Sequence, residues 1–307
     1  MKLKAALFIT NPFVNDSRVK KEAKSLAKSD FDVIVVALHE GDLPVEERMD
    51  GFRVNRIRLI TKRLPRIPFI QMLKYLEFFF KAVFRYRHID ICHCNDLDTL
   101  PIGWMIKILS YGHARVMYDA HEWESNDQPN QSRNSIFIRG LLERILIGSS
   151  DTMLTVSESI ADEYVKRYRI ARPAVVLNCP ERIEVSHQDL FRREFNVRPD
   201  QLIFLYQGGI GEGRGIEIIL EAFAGMTDDR CAIVFMGNGS LEGHVKEYAE
   251  KISWIYHKDA VPNSVLLNWS ASADFGILFY ENVCLNNYLC SPNKMFEYLM
   301  ADRKSVV

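Results

Sequence analysis

Ile203-Phe204-Leu205-Tyr206-Gln207-Gly208-Gly209-Ile210-Gly211-Glu212-Gly213-Arg214-Gly215 reads as a short buried strand, a glycine-rich turn and the mouth of a helix. The glycines let backbone approach a ligand closely. Their spacing is not that of a dinucleotide fingerprint, because Gly209 and Gly211 would need a third glycine at position 214, where Arg214 stands. Arg214 is either a fixed cation able to fork onto phosphate oxygens at a helix mouth or a solvent-exposed loop arginine. A second strand-to-helix turn, Met236-Gly237-Asn238-Gly239-Ser240, either packs near a nucleotide base or is a simple tight turn.

Outward from this unit, short apolar runs alternate with amphipathic stretches, the pattern of parallel βαβ units. The first half offers strands near Ala5–Ile9, Asp32–Ala37, Ile89–Cys94, Arg115–Tyr118 and Thr152–Val156, with a helix from Ser17 to Ser29 capped by Asn15 or Asp16. A second series offers strands near Ile203–Tyr206, Ala232–Met236, Trp254–Tyr256 and Asp274–Leu278, with helices after Gly215, Gly239, Pro262 and Pro292. Between the series lies the polar, proline-punctuated stretch Asn178–Gln201, a connection between domains. The expected fold class is α/β, with two doubly wound Rossmann-like domains, residues 1–178 and 179–307, facing a cleft.

The tail places a lysine at the unfavourable end of a helix. With Ser291 as N-cap and Pro292 as first helical residue, Lys294 falls in the first turn, where unpaired amides are already positive. Lys294 also precedes Glu297 in the less favoured order for a helix ion pair. An anionic ligand would account for the placement, with phosphate at the helix end and hydroxyls on Glu297. The alternative is an exposed lysine tolerated at a cost of a few tenths of a kcal/mol.

Composition bounds the rest. The chain has 307 residues, 48% hydrophobic and 26% charged, with a formal net charge of −1, as in a soluble globular protein and unlike a general nucleic-acid binder. Six cysteines without a CxxC pair or a secretory signal read as reduced thiols of a cytoplasmic protein. Cys92-His93-Cys94 fits small core residues of a strand better than metal ligands, and no metal is expected. One segment departs from neutrality: Arg53–His88 carries ten Lys or Arg and one acid, Glu77. Within it Phe69–Phe84 is either a basic amphipathic helix lying on an anionic membrane surface or a helix whose Phe78, Phe79 and Phe80 fill the core.

In the first half, the polar loop Thr10–Arg18 and the segment Asp119-Ala120-His121-Glu122 each follow a strand. His121 is a candidate general base or hydrogen-bond donor, with Glu122 or Asp119 to orient its imidazole. Asp96 and Asp98 read as caps of a helix starting near Pro101.

Together, NDSRVKKEAKSLA at Asn15, HCNDLDTLPIG at His93, YDAHE at Tyr118, TVSESIADEY at Thr155, YQGGIGEGRGIE at Tyr206 and PNKMFEYLMA at Pro292 resemble GT-B glycosyltransferases, specifically the retaining family 4-like group that builds bacterial surface polysaccharide. The resemblance implies transfer from a nucleotide-diphosphate sugar to a saccharide or lipid-linked acceptor, without a cofactor. It implies a donor side of Gly209, Arg214, Asn238, Lys294 and Glu297. It places His121 near the transferred sugar and Asn15, Asp16, Arg18 and Glu122 on the acceptor side. The implied location is cytoplasmic, peripheral at the inner membrane through Arg53–His88. Two positions depart from the resembling pattern: Leu289 stands where an acid often grips the donor sugar, and Gly209 where a second arginine is frequent. The chain also ends at Lys304–Val307 inside an expected strand, so the second domain reads as incomplete, with reduced stability as the expectation. A nucleotide-sugar epimerase and an inactive or partner-dependent nucleotide-binding remnant are the alternative readings.

Overall fold

The computed structural model describes residues 2–14, 16–65, 67–126, 128–180, 184–185 and 188–306. The chain divides into two compact units, Met1–Asn126 with Gln131–Val176, and Asp127–Asn130 with Leu177–Val307. Residues 127–130 group with the second unit, apart from the segments on either side of them.

The first unit runs β1 (Lys4–Phe8), α1 (Ser17–Lys28), β2 (Asp32–Leu38), β3 (Glu46–Met49), β4 (Phe52–Ile57), α2 (Pro68–Tyr86), β5 (Ile91–Asn95), α3 (Leu100–Leu109), β6 (Arg115–Ala120), α4 (Arg133–Leu146), β7 (Thr152–Thr155), α5 (Glu158–Tyr168) and β8 (Ala174–Val175). Its strands form one sheet in the order β3-β4-β2-β1-β5-β6-β7-β8. All pairings are parallel except the β3–β4 edge hairpin. β1, KAALF, is buried on both faces beyond its first residue, as a parallel strand covered by helices requires. Helices α2 to α5 join strands that advance one way across the sheet, so right-handed crossover puts them on one face; α1 advances the other way and covers the opposite face. Cys92 and Cys94 are small because α3 comes close: a Cβ at Gly103 would lie 2.5 Å from Cys94 Sγ. Burial pushes the Cys94 thiol up to about 12, so it is inert at neutral pH.

Behind β6, the buried carboxylate of Glu143 accepts the hydroxyls of Tyr118 (2.7 Å), Tyr164 (2.6 Å) and Tyr168 (2.6 Å). Trp123 stacks on Tyr168 with centroids 6.2 Å apart. This cluster ties α4 and α5 to the end of β6, from which the His121 segment emerges.

The second unit contains α6 (Leu190–Phe195), β9 (Leu202–Gln207), α7 (Ile216–Ala224), β10 (Cys231–Met236), α8 (Glu242–Lys251), β11 (Ile255–Lys258), α9 (Asn263–Ser270), β12 (Phe275–Ile277), α10 (Leu285–Leu289), α11 (Asn293–Met300) and β13 (Lys304–Val306). The sheet order is β11-β10-β9-β12-β13, parallel throughout. Both sheets are therefore doubly wound, as the alternating pattern predicted. Strand order reverses between β1 and β5 in the first sheet and between β9 and β12 in the second. Carboxyl ends of strands at such reversals are where ligands bind in α/β sheets.

Several local expectations need correction. Asn178–Gln201 is more than a connection, since it contains α6, whose Phe191 is fully buried. Arg56 is not part of a basic surface: it is buried in β4 and donates to the carbonyls of Pro12 and Pro44 and to Glu47, while exposed Arg53 of the same strand pairs with Asp32. Of the three consecutive phenylalanines, only Phe78 is buried, Phe79 is partly covered and Phe80 is exposed, because successive helix residues point 100° apart. Thr99, not Asp96 or Asp98, is the N-cap of α3, and Pro292, not Ser291, precedes α11.

Candidate functional site

At the β9–β12 reversal the first two turns of the second unit cross each other. Gly208 N donates to Met236 O, and Ile210 N to Asn238 O. A Cβ at Gly237 would sit 1.9 Å from Gly208 O and one at Gly239 2.2 Å from Ile210 O, so this crossing admits only glycine. Gly209 is different: nothing lies within 4 Å of where its Cβ would be, and its carbonyl accepts the hydroxyl of Tyr206. Asn238 Oδ1 accepts the amide of Ala260 at 2.8 Å, which secures the turn, and the side chain is exposed.

Helix α11 is fixed by Tyr298, whose hydroxyl lies 2.9 Å from Leu205 O and accepts the amide of Gln207 at 3.1 Å. Its ring occupies the space a side chain at Gly276 would need, 2.4 Å from an added Cβ. Lys294, one turn earlier on the same face, is consequently buried (7% exposed), not the exposed lysine of the alternative reading. Lys294 Nζ has no hydrogen-bond partner and lies 3.9 Å from the ring centre of Tyr206 and 5.1 Å from that of Tyr280. The guanidinium of Arg214 lies over the other aromatic contact, 4.6 Å from the Tyr280 ring centre. Burial first, and then the nearby Arg214 charge, pull the Lys294 amine down to about 7, despite Glu297. Glu297 is half-buried and accepts Gln207 Nε2 at 2.5 Å; Gln207 in turn accepts Ser270 Oγ at 2.6 Å. The structure thus brings Arg214, Lys294 and Glu297 to one sheet edge, where the Arg214 charge acts on Lys294 more strongly than Glu297 does. An anion entering there would be met by an ammonium already stripped of water.

In the first unit the centre is Asp119, fully buried at the end of β6. It accepts Arg18 Nη2 at 2.7 Å, and His93 Nε2 lies 3.3 Å away. Arg18 also reaches Glu22 (Nε to Oε1, 3.0 Å) and Val176 O (3.1 Å). Arg18 is therefore an internal clamp at 6% exposure, not the acceptor-side contact expected from sequence. Asp16 likewise serves the backbone: it caps α1 by accepting Val19 N and also accepts Asn11 Nδ2. Asn15 lies outside the described residues. Glu122 is exposed. His121 Nδ1 lies 3.3 Å from Asp96 Oδ1 and Nε2 lies 3.6 Å from Asp119 Oδ2. Burial opposes its charge, but Asp96 and Asp119 outweigh it and raise His121 to about 9. His121 is then an imidazolium at neutral pH, a hydrogen-bond donor and not a general base. Asp96 reaches it from a left-handed backbone conformation (φ 66°), a geometry that no helix cap would require.

Glu22, His93 and Asp119 present ligand atoms within 4.8 Å of one another, as do Glu242, His257 and Asp259. In the first triad the Arg18 guanidinium already supplies positive charge to both carboxylates. Burial and the Asp119 charge raise Glu22 to about 7.

Two doubly wound, largely parallel sheets are the GT-B fold, shared with the solved structures named below. Residues 17–180 match Glycosyltransferase Family 4, and the chain belongs to that family. Sucrose-phosphate synthase from Thermosynechococcus elongatus is similar in structure, with a TM-score of 0.78 at 16% identity over 99% of this chain and 80% of the other. HepE from Anabaena, solved with UDP and glucose, gives 0.69 at 12% over 99% and 80%. The lipopolysaccharide outer core galactosyltransferase WaaB, in its apo form, gives 0.64 at 13% over 99% and 80%. At these identities the likeness is one of fold. No curated protein sequence matches significantly. Among the described residues no helix is long and apolar enough to cross a membrane.

Proposed function

We propose that the chain transfers a sugar from a nucleoside-diphosphate sugar to a saccharide or lipid-linked saccharide, with retention, in cell-surface polysaccharide synthesis at the cytoplasmic side of the inner membrane. The observation that carries the donor half is Lys294: a buried amine without a hydrogen-bond partner, at a helix N-terminus beside Arg214. Such a group costs stability unless an anion binds it. The occurrence of HepE with UDP-glucose, at 11% identity and a TM-score of 0.68, supports a nucleotide sugar as that anion. WaaB supports a lipid-linked acceptor class.

In the reaction, the bond from the anomeric carbon to the leaving phosphate oxygen breaks while a bond to the acceptor hydroxyl oxygen forms on the same face. The hydroxyl proton passes to the departing phosphate, whose charge Lys294 and Arg214 stabilise. Glu297 accepts ribose hydroxyls, and His121 supplies positive charge near the transferred sugar. Trapping of a glycosyl-enzyme intermediate would overturn this front-face route.

Thermal shifts with UDP, GDP, dTDP and NAD, on the wild type and on Lys294→Ala and Glu297→Ala, test the donor site. One nucleoside diphosphate should stabilise the wild type and neither variant. Equal shifts in all three proteins, or none in a folded wild type, would refute it. A nucleotide-binding protein without turnover is the second reading, favoured by Leu289 at the position where the resembling pattern has an acid; sugar transfer to any acceptor would dismiss it.

A further inference from the structure

Glu297 stands at the outer end of a chain of hydrogen bonds that begins in the core of the second unit. Ser270, which ends α9, and Gln207, which ends β9, are buried at 0% and 2% exposure. Ser270 Oγ lies 2.6 Å from Gln207 Oε1, and Gln207 Nε2 lies 2.5 Å from Glu297 Oε2. Glu297 itself is half-buried.

Carboxylate chemistry fixes the direction of this chain. An ionised carboxylate only accepts, so Gln207 turns its NH2 group to Glu297 and its carbonyl oxygen to Ser270, which must donate. The Ser270 hydroxyl has one proton and two acceptors in reach, Gln207 Oε1 at 2.6 Å and Leu266 O at 3.1 Å, and the shorter contact takes it. Turning the Gln207 amide over would set its oxygen against Glu297, an arrangement that only a protonated Glu297 could enter as donor. The chain therefore favours an ionised Glu297 and fixes the plane in which it accepts.

A tie between β9 and α11 does not need these groups. Tyr298, next to Glu297, already makes it, since its hydroxyl accepts the amide of Gln207 at 3.1 Å and lies 2.9 Å from Leu205 O. What the Gln207 side chain adds is orientation of a glutamate whose head is partly open to solvent. A glutamate left to rotate would lose that freedom on meeting a ligand, and one already held loses less.

We propose that Gln207 and Ser270 are positioning residues that hold the Glu297 carboxylate ionised and aimed at a vicinal diol, and so set a preference for ribonucleotides over deoxyribonucleotides. The inference deepens the proposed function and rests on its assignment of ribose hydroxyls to Glu297. Ser270 acts through Gln207, and Gln207 acts through Glu297.

The test is the ratio of affinities for UDP and 2′-deoxy-UDP, and for GDP and 2′-deoxy-GDP, measured by isothermal titration. Lys294 and Arg214 would meet the same diphosphate in both members of a pair, so their contribution cancels in the ratio. Wild type should prefer the ribonucleotide by about tenfold or more. Gln207→Leu and Ser270→Ala should each lose most of that preference while affinity for the deoxynucleotide stays within about twofold, and Gln207→Leu added to Glu297→Ala should change the ratio no further. A preference retained in both folded variants would overturn the inference. Affinities for both nucleotides of a pair falling together would also overturn it and leave Gln207 as a structural tie. A further fall in the ratio on adding Gln207→Leu to Glu297→Ala would put Gln207 on the nucleotide itself, against a positioning role. Ser270→Ala decides by the same ratio if Gln207→Leu does not fold. Wild-type binding without a ribonucleotide preference would overturn Glu297 as the ribose acceptor, and this inference with it, but not the anion site at Lys294. No nucleotide binding at all would refute the donor site on which the inference rests.

Discussion

The protonation of Lys294 gives the sharpest test of the donor site. Without ligand its amine sits near pH 7, because burial and Arg214 outweigh Glu297. A diphosphate in contact with Nζ would hold it charged throughout the neutral range. Binding to the ammonium form alone makes affinity proportional to the protonated fraction. From pH 6 to pH 8.5 affinity for a nucleotide sugar should fall about thirtyfold, or about 2 kcal/mol, and binding at pH 8 should take up about 0.9 proton. A sugar diphosphate diester has no ionisation of its own in this window. Isothermal titration with UDP-glucose as first probe, in Tris and in HEPES, measures both quantities. Lys294→Met removes the charge but keeps the bulk, so the pH slope and proton uptake should vanish along with most of the affinity. The same substitution should stabilise the ligand-free chain at pH 6 to 7 by about 2 kcal/mol, since a buried, unpaired ammonium is replaced by a hydrophobe. The sign follows from linkage: a lysine whose folded value lies below its unfolded 10.5 exacts its full penalty below pH 7, and the penalty lifts as pH rises towards 10.5. A flat affinity in the wild type, or an undiminished slope in Lys294→Met, would refute the reasoning.

His121 should titrate with a midpoint near 9 in an NMR experiment on the imidazole, and Asp96→Asn should lower that midpoint; a wild-type midpoint at or below 7 would rule out the imidazolium. The stability this charge contributes is present below pH 6.5 and is lost as pH rises through about 9. Glu143→Ala should cost about 3 to 5 kcal/mol in urea denaturation, because it strands the buried hydroxyls of Tyr118 and Tyr164 together with that of Tyr168; Glu143→Gln should cost less, and equal losses would contradict the account. Gly239→Ala, whose Cβ would meet Ile210 O at 2.2 Å, should destabilise by about 2 kcal/mol or more, whereas Gly209→Ala should stay within about 0.5 kcal/mol in the same measurement.

The elements with strong local signals were legible in the sequence. Apolar runs such as Leu202–Gln207 and Cys231–Met236 form the central strands, and Gly215 opens the helix it was expected to open. The β3–β4 hairpin escaped because Arg53-Val54-Asn55-Arg56-Ile57 looks like part of a basic surface, and only tertiary structure supplies the carbonyls that solvate buried Arg56. The same limit governs the site. Spacing placed Lys294 in the first turn of a helix, but its burial depends on Tyr298 seating against Gly276, a contact between distant segments. Arg18 sits in a polar motif and reads as a ligand contact, yet its partner Asp119 is 101 residues away.

That pattern has a consequence for reading charged residues in such folds. A charged side chain whose partners lie within the chain, as Arg18 has in Asp119, Glu22 and Val176 O, is satisfied, and its removal should damage the scaffold first. One that is equally buried but has no hydrogen-bond partner, as Lys294 is, carries a cost that folding alone does not explain. Both lie near strand ends and both look alike in sequence. What separates them is whether the protein itself supplies the counter-charge: on that criterion Lys294 is the group a bound anion would have to satisfy, while Arg18 belongs to the frame around Asp119.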